Sequence, residues 1–388
     1  MNRSLGLKGF NLDPTLFSAV IALLVLGIIM VSSASITLAD SEMGEPHYYL
    51  IRHFGAIAIG CLGAITAVAI PMESWLRLNG VLLFAAMALL ASVFLPGFGL
   101  TANGSTRWLD LGPLTLQPSE PARICLLLYL SSYVVRHQRE LGTTMLGFFK
   151  PMALVALACM LLLAEPDFGA TVVLTATSLG LLFVGGARLR DFFLFLLAAI
   201  TTLSVLALNS GERLQRLTTF LDPWADVERG GYQLAQSLIA IGRGDWLGVG
   251  LGGSVQKLFY LPEAHTDFIF AVMAEEFGVI GTTLTIVLFG IVVFKAIAMG
   301  PRASALGMPF QGLVSTGIGL TLGLQAFINM GVNTGLLPTK GLTLPLISYG
   351  RTSIVVTLVA LGLLARIHHE VVIAARRAAV REAGKSRA

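Results

Sequence analysis

Charge is what this sequence has least of. Asp, Glu, Lys and Arg make up 12% of its residues, about half the share usual in soluble domains. That scarcity excludes a water-facing globule, whose surface would need those groups. Cysteine is nearly absent as well. Cys61, Cys125 and Cys159 each sit inside an apolar run, without the spacing or loop placement of a disulfide framework or a thiolate metal site. They read as small buried hydrophobes. There is no His-Glu-x-x-His, Cys/His cluster or Walker sequence. The glycine-rich run 242–253 lacks the strand–turn–helix context of a nucleotide loop and reads as flexible turns. No internal repeat or low-complexity segment is evident.

What is present is apolar sequence: 55% of the residues are hydrophobic and the mean hydropathy is +0.80. A hydrocarbon core of about 30 Å needs roughly 20 apolar residues per helix, and this chain supplies such stretches repeatedly. Spans are predicted near 15–38, 50–70, 77–95, 119–135, 151–164, 168–186, 191–208, 265–294, 310–332 and 349–367. The expected fold is therefore an all-α polytopic membrane protein of about ten transmembrane helices. The first run, after Arg3 and Lys8, is long for the apolar part of a cleaved signal and reads as a retained helix.

An even number of spans puts both termini on one side. With that side cytoplasmic, it holds sixteen of the 26 Lys and Arg, against only six acids, as the positive-inside rule requires. Residues 1–14 then form a cytoplasmic N-terminus, 15–367 a transmembrane domain, and 368–388 a basic cytoplasmic tail. The tail cations Arg376, Arg377, Arg381, Lys385 and Arg387 suit anionic headgroups and need no nucleic acid. Two outer segments stand out, 97–118 and a large periplasmic loop at 209–264 between helices 7 and 8. A loop that long usually signals function. Within it, 231–242 places Leu234, Leu238 and Ile241 on one helical face and Gln233, Gln236 and Ser237 around the rest, which suits a short helix at or dipping into the interface.

Chemistry concentrates at the outer mouths of these helices. Asp267, in Leu-Pro-Glu-Ala-His-Thr-Asp-Phe-Ile-Phe-Ala (261–271), falls in the first turn of the predicted 265–294 span, near the positive end of its dipole. Capping is the plain explanation, but His265 and Thr266 compete for that job. A carboxylate left over at a membrane boundary calls for a function. Glu275 and Glu276 on the same helix are expected about 12 Å deeper, in a structural polar network or, second, on a substrate path. In Glu165-Pro166-Asp167, Pro166 disfavours helix at Glu165, and Asp167 is placed to cap the next span. Arg107, Arg123, Lys340 and Arg351 lie in or beside Gly- and Pro-broken loops. One such cation alone anchors headgroups; several together suit pyrophosphate.

Taken jointly, Arg107-Trp108 with Gln117-Pro118-Ser119-Glu120, Glu165-Pro166-Asp167-Phe168-Gly169, His265-Thr266-Asp267-Phe268 and Ser348-Tyr349-Gly350 resemble the successive signatures of the SEDS family (shape, elongation, division, sporulation) of peptidoglycan glycosyltransferases, over about residues 15 to 370. Pro338-Thr339-Lys340-Gly341-Leu342-Thr343-Leu344-Pro345 is similar to its division branch. Two positions depart from the pattern: Arg123 stands where the family commonly has Lys, and Arg351 where it commonly has a second Gly.

The resemblance implies polymerisation of lipid II at the outer face of the cytoplasmic membrane during septal wall synthesis. It carries the family's essential aspartate onto Asp267, its important arginine and lysine onto Arg107 and Lys340, and the Gln-Pro-Ser-Glu acid onto Glu120. Arg123, Ser348, Arg351, Gln233 and His265 complete the expected substrate-binding set. Asp267 is expected to act as general base, with undecaprenyl pyrophosphate leaving and the anomeric centre inverting. No cofactor is required by motif. A divalent cation, Mg or Mn, bridging phosphate oxygens is compatible with this chemistry, although the sequence shows no dedicated metal cage. Implied partners are a class B penicillin-binding transpeptidase and small bitopic divisome proteins. Two rival readings remain open at this point, a lipid II flippase and a non-catalytic scaffold for the transpeptidase.

Overall fold

The computed structural model describes residues 10–102, 105–110, 115–209, 211–225 and 231–385. Arg3, Lys8 and Arg387, counted above for orientation, lie outside the described residues. In chain order the helices are α1 (Pro14–Met43), α2 (Tyr48–Ala69), α3 (Met72–Arg77), α4 (Asn79–Ser92), α5 (Ser119–Arg136), α6 (Gln138–Thr143), α7 (Met145–Ala164), α8 (Phe168–Val184), α9 (Leu189–Leu208), α10 (Gly211–Leu221), α11 (Tyr232–Gly244), α12 (Ile269–Ala305), α13 (Pro309–Asn333) and α14 (Arg351–Lys385). Each predicted span coincides with one of them. Among the described residues, seven (α1, α2, α7, α9, α12, α13, α14) are long and apolar enough to cross a membrane; α4 and α8 are shorter apolar helices. The chain is a multi-pass membrane protein.

Local chemistry sets the helix ends. Pro14 opens α1 behind Asp13, whose Oδ1 accepts from the backbone N–H of Thr15 and Leu16, and Gly44 closes it in the left-handed region at φ 69°. Large apolar side chains such as Phe17, Phe54, Leu62, Phe84 and Leu197 face outward, where hydrocarbon rather than water would suit them. With lipid as the solvent, helices associate by close packing of small residues. A Cβ on Gly312 of α13 would lie 2.6 Å from the Gly300 carbonyl of α12, and one on Gly362 of α14 the same distance from the Ala64 carbonyl of α2.

The first described residues lie against α14 at one end of the bundle, the termini end. The Asn11 N–H donates to His369 Nδ1 at 3.1 Å, and Lys295 on α12 pairs with Asp13 at 2.9 Å.

The fold departs from an all-α reading in one place. Three short strands, β1 (Gly99–Ala102), β2 (Ser105–Asp110) and β3 (Thr115–Leu116), pair into an antiparallel sheet in the order β1-β2-β3. Asn103-Gly104, between β1 and β2, is the strongest short hairpin signal there is. The strands are too short for alternation to show beside it.

The second departure is larger. The expected helix over 265–294 begins at Ile269 and breaks at Gly278, whose φ of 63° and ψ of −160° no other residue type adopts readily. Val279 and Ile280 donate not to the preceding turn but to the carbonyls of Asp245 and Trp246, while Val249 and Gly250 donate to those of Glu275 and Glu276. The loop is thus sewn into the break. Thr285 Oγ1 lies 3.4 Å from Met273 Sδ, although twelve residues of straight helix span about 18 Å. The chain therefore folds back. The second half descends to Lys295 at the termini end, so the first half climbs away from it. This overturns the expected depth order: Glu275 and Glu276 lie farther from the termini than Asp267 does. Glu276 accordingly meets Ser33, far up α1 from Asp13.

Candidate functional site

Asp267 sits in the turn just before α12. Phe268 occupies the cap position of α12 without a side-chain bond. Asn333, at the end of α13, does the work from outside. Its Oδ1 accepts from the Ala271 N–H at 3.1 Å and its Nδ2 donates to the Asp267 carbonyl at 2.9 Å. Asn329, one turn earlier, donates to the same carbonyl at 2.9 Å and to Leu342 O at 2.6 Å. Ser348 Oγ donates to Thr266 O at 2.6 Å and accepts from the Leu344 N–H. Asp267 is thus gripped by its main chain, while its side chain is only half-buried.

The carboxylate faces the Lys340 loop. A Cβ on Gly341 would lie 2.9 Å from Asp267 Oδ2, so glycine lets the loop approach the carboxylate this closely. Lys340 Nζ stands 4.3 Å over the Phe168 ring, a cation–π contact that carries the ammonium to the start of α8. There Arg107, from β2, donates to Glu165 O at 3.1 Å and to Pro166 O at 2.6 Å. Asp267, Lys340 and Arg107 are therefore joined through the 165–168 turn and the 340–341 loop.

Asp167 is the cap expected of it. Its Oδ1 accepts from Ala170 N at 3.0 Å, and its Oδ2 from Gln117 Nε2 and Ser119 Oγ at 3.3 and 3.4 Å. Glu165 next to it is buried, with neither carboxyl oxygen hydrogen-bonded. Burial, reinforced by the Asp167 charge and only partly offset by Arg107, pushes the Glu165 carboxyl up to about 8.

The remaining predicted residues divide. Glu120 and Arg123 form a buried ion pair one turn into α5. The Nε and Nη1 of Arg123 are left without partners, beside a narrow cavity of about 10 Å³ shared with Thr321 and Gln325, scarcely room for one water. Gln325 Nε2 donates on to Thr343 O at 3.1 Å, so this pair connects to the Lys340 loop from below. Arg351 is turned to the sheet, where it donates to Thr115 Oγ1 at 2.5 Å. His265 is buried among Tyr49 and Tyr349, with ring centroids 4.9 and 5.6 Å away, and burial holds its imidazole below the usual range. Gln233 lies half-buried at the start of α11, whose Ser237 donates to the Asn333 carbonyl at 2.7 Å.

Glu275 and Glu276 are fully enclosed and fully employed. Glu275 takes Arg243 at 2.7 Å, Ser254 Oγ and the N–H groups of Val255 and Gln256; Glu276 takes Lys257 at 2.8 Å and Ser33 at 2.7 Å. They form the structural network that was the leading expectation, and they pin the 243–257 loop to the bundle. Among the described residues no three His, Cys, Asp or Glu side chains are grouped to hold a metal ion.

Asn329 and Asn333 were missed by sequence reasoning. The signal was there: Asn329 and Asn333, four residues apart, continue one helical face from Gln325, and amides buried in a bundle need partners.

The FtsW/RodA/SpoVE family profile, described as "Cell cycle protein", matches residues 14–372. A protein of Thioalkalivibrio sulfidiphilus named "Probable peptidoglycan glycosyltransferase FtsW" is 51% identical over 362 residues, covering 93% of this chain and 90% of that one. A protein of the same name from Nitrosococcus halophilus is 51% identical over 358 residues, covering 92% of each. Among solved structures, a chain from work on "structural coordination of polymerization and crosslinking by a peptidoglycan synthase complex" superposes with a TM-score of 0.76 at 28% identity, over 93% of this chain and 98% of that one. The rod shape determining protein RodA of Thermus thermophilus superposes with a TM-score of 0.70 at 27% identity, over 94% and 98%. Fold, motif order and near-complete coverage agree: the chain belongs to the FtsW/RodA/SpoVE family.

Proposed function

We propose that this chain is a peptidoglycan glycosyltransferase of the FtsW type that polymerises lipid II at the division septum. The names of the relatives at 51% identity support the activity. The observation that carries the chemistry is the Asp267 carboxylate, half-buried and set by its main chain against Gly341, one residue from Lys340.

The acceptor sugar's 4-hydroxyl gives its proton to Asp267 as its oxygen bonds to the donor's anomeric carbon. The bond from that carbon to the phosphate oxygen breaks, and undecaprenyl pyrophosphate departs with the electron pair. One displacement inverts the centre. Pyrophosphate leaves readily without a protonated acid, so Lys340 and Arg107 serve by stabilising its charge. Glu120 and Arg123 support the loop from below through Gln325, and Arg123 keeps two donors for a substrate group. Ser348 positions the Asp267 turn. Arg351, Gln233 and His265 border the region and complete the binding surface once substrate enters.

The termini face the cytoplasm in this reading, because the basic residues collect at that end, and Asp267 faces the periplasmic half. The 15–367 unit is the catalytic domain and 209–264 its periplasmic loop. A class B penicillin-binding transpeptidase is the partner supported by the synthase-complex neighbour; small bitopic divisome proteins follow from the division reading.

The test is polymerisation of labelled lipid II by the purified protein with its transpeptidase, comparing wild type with Asp267→Asn. The expected result is polymer from wild type and none from the variant. Polymer from Asp267→Asn at the wild-type rate sinks the base assignment, and lipid translocation without polymer would make the chain a flippase.

A further inference from the structure

A second cavity lies far from Asp267. It lies at the termini end, between the start of α1, the lower part of α12 and the upper tail of α14, and encloses about 430 Å³, within the roughly 300–1,000 Å³ of small-molecule sites. Its walls are apolar, with Phe294, Met299, Leu306, Val371 and Val372 among them, and its charged groups are Lys295, Arg302 and Asp13, with His368 beside them.

The charges are unequal in what they have left to offer. Asp13 is spent: Oδ1 accepts from two backbone N–H groups as the cap of α1, and Oδ2 takes Lys295 at 2.9 Å. Lys295 has three donors, of which Asp13 uses one. Arg302 is exposed and makes no ion pair among the described residues. The net offer is cationic, above an apolar trough. A soluble anion would gain nothing from the trough, and a neutral hydrocarbon chain nothing from the cations.

We propose that this cavity binds one anionic phospholipid from the leaflet at the termini end. Its phosphodiester lies between Lys295 and Arg302, and the first methylenes of its acyl chains lie along Phe294, Met299 and Val372. Basic pockets between transmembrane helices are a known way of holding such headgroups. The site rests on the chain's spanning a membrane and not on glycosyl transfer, so it can stand or fall independently of Asp267.

Native mass spectrometry of the full chain in a neutral detergent tests the site, with dioleoyl phosphatidylglycerol and dioleoyl phosphatidylcholine as probes. One phosphatidylglycerol should be retained in preference to phosphatidylcholine. Arg302→Gln should weaken retention about fivefold, the scale of one cation near a membrane surface. Val372→Trp fills the trough without touching a charge and should weaken it comparably, which separates the site from any fold defect that Lys295→Gln could cause by stranding Asp13. Arg377→Gln with Arg381→Gln, on the exposed tail beyond the cavity, should change little. Equal retention of phosphatidylcholine, a loss from the tail variant as large as from Arg302→Gln, or displacement by glycerol phosphate as effective as by the lipid would each overturn the proposal.

Discussion

Two carboxylate regions share one broken helix, and they differ in how far they are enclosed. Glu275 and Glu276 are 0% exposed, and their oxygens are taken up by Arg243, Ser254, Lys257, Ser33 and backbone N–H groups. Asp267 is held through its carbonyl by Asn329 and Asn333, which leaves the carboxylate half-buried beside the Lys340 loop. A carboxylate whose job is architectural is satisfied at its oxygens. One whose job is to take a proton from a sugar hydroxyl must stay open to approach, and a clamp on its main chain fixes the turn without enclosing the carboxylate.

The sharpest break of that contrast is functional. Asp267→Asn should lower lipid II polymerisation by about 10²- to 10⁴-fold, the range of a general base, with the unfolding temperature unchanged. Glu276→Gln should do the reverse. It leaves Lys257 buried without its partner, a loss on the order of 3–5 kcal/mol, readable as a fall in thermal unfolding temperature. Replacing both, Lys257→Met with Glu276→Met, should recover most of that loss. If Asp267→Asn proved as destabilising as Glu276→Gln, the two regions would not differ in kind.

Asn333→Ala should fall between the two classes. It removes three side-chain hydrogen bonds, from the Ala271 N–H and to the Asp267 and Asn329 carbonyls, for about 1–3 kcal/mol of stability, and lowers turnover because the Asp267 turn loses its clamp. Asn333→Asp, which keeps an acceptor for the Ala271 N–H but loses the donor to Asp267 O, should restore stability more than activity.

The smallest effect, per unit of pH, concerns Glu165, a third case, buried but without a hydrogen bond. Its carboxyl titrates near 8 in the fold against an ordinary 4.5. Between those pH values the folded protein binds a proton that the unfolded chain has lost, so stability falls as pH rises through this window and levels off above it. Each pH unit there is worth at most about 1.4 kcal/mol. Glu165→Gln should flatten the slope, so its unfolding temperature gains on wild type from pH 5 to pH 8. A slope identical to wild type would mean that Glu165 is ionised throughout.

Much of this was legible in the residues. Apolar runs found every long helix, because hydrocarbon thickness imposes one length on all of them, and Asp167 was identifiable as a cap from Pro166 beside it. The motifs around Asp267, Lys340 and Arg107 were recognisable, and the fold does bring them to one neighbourhood. The fold-back at Gly278 was not legible. A glycine inside an apolar run looks the same whether the helix continues or reverses, and the reversal is decided by loop residues some thirty positions earlier. The asparagine clamp was hidden for the same reason, since its target is the main chain of another segment. Arg351 and His265 were placed in the binding set by motif, yet their observed contacts are with Thr115 and with tyrosine rings.

The stitched break in α12 has a mechanical consequence. A Cβ on Gly244 would lie 1.9 Å from Ala274 O, and one on Gly248 2.1 Å from Glu276 O, so no slack separates loop from helix there. From that seam to Asp267 runs a single stiff rod of nine residues, Ile269–Phe277, about 13 Å long. A load applied to the outer loop has no soft joint in which to dissipate before it reaches the rod's other end. Whatever tugs on that loop tugs on the aspartate.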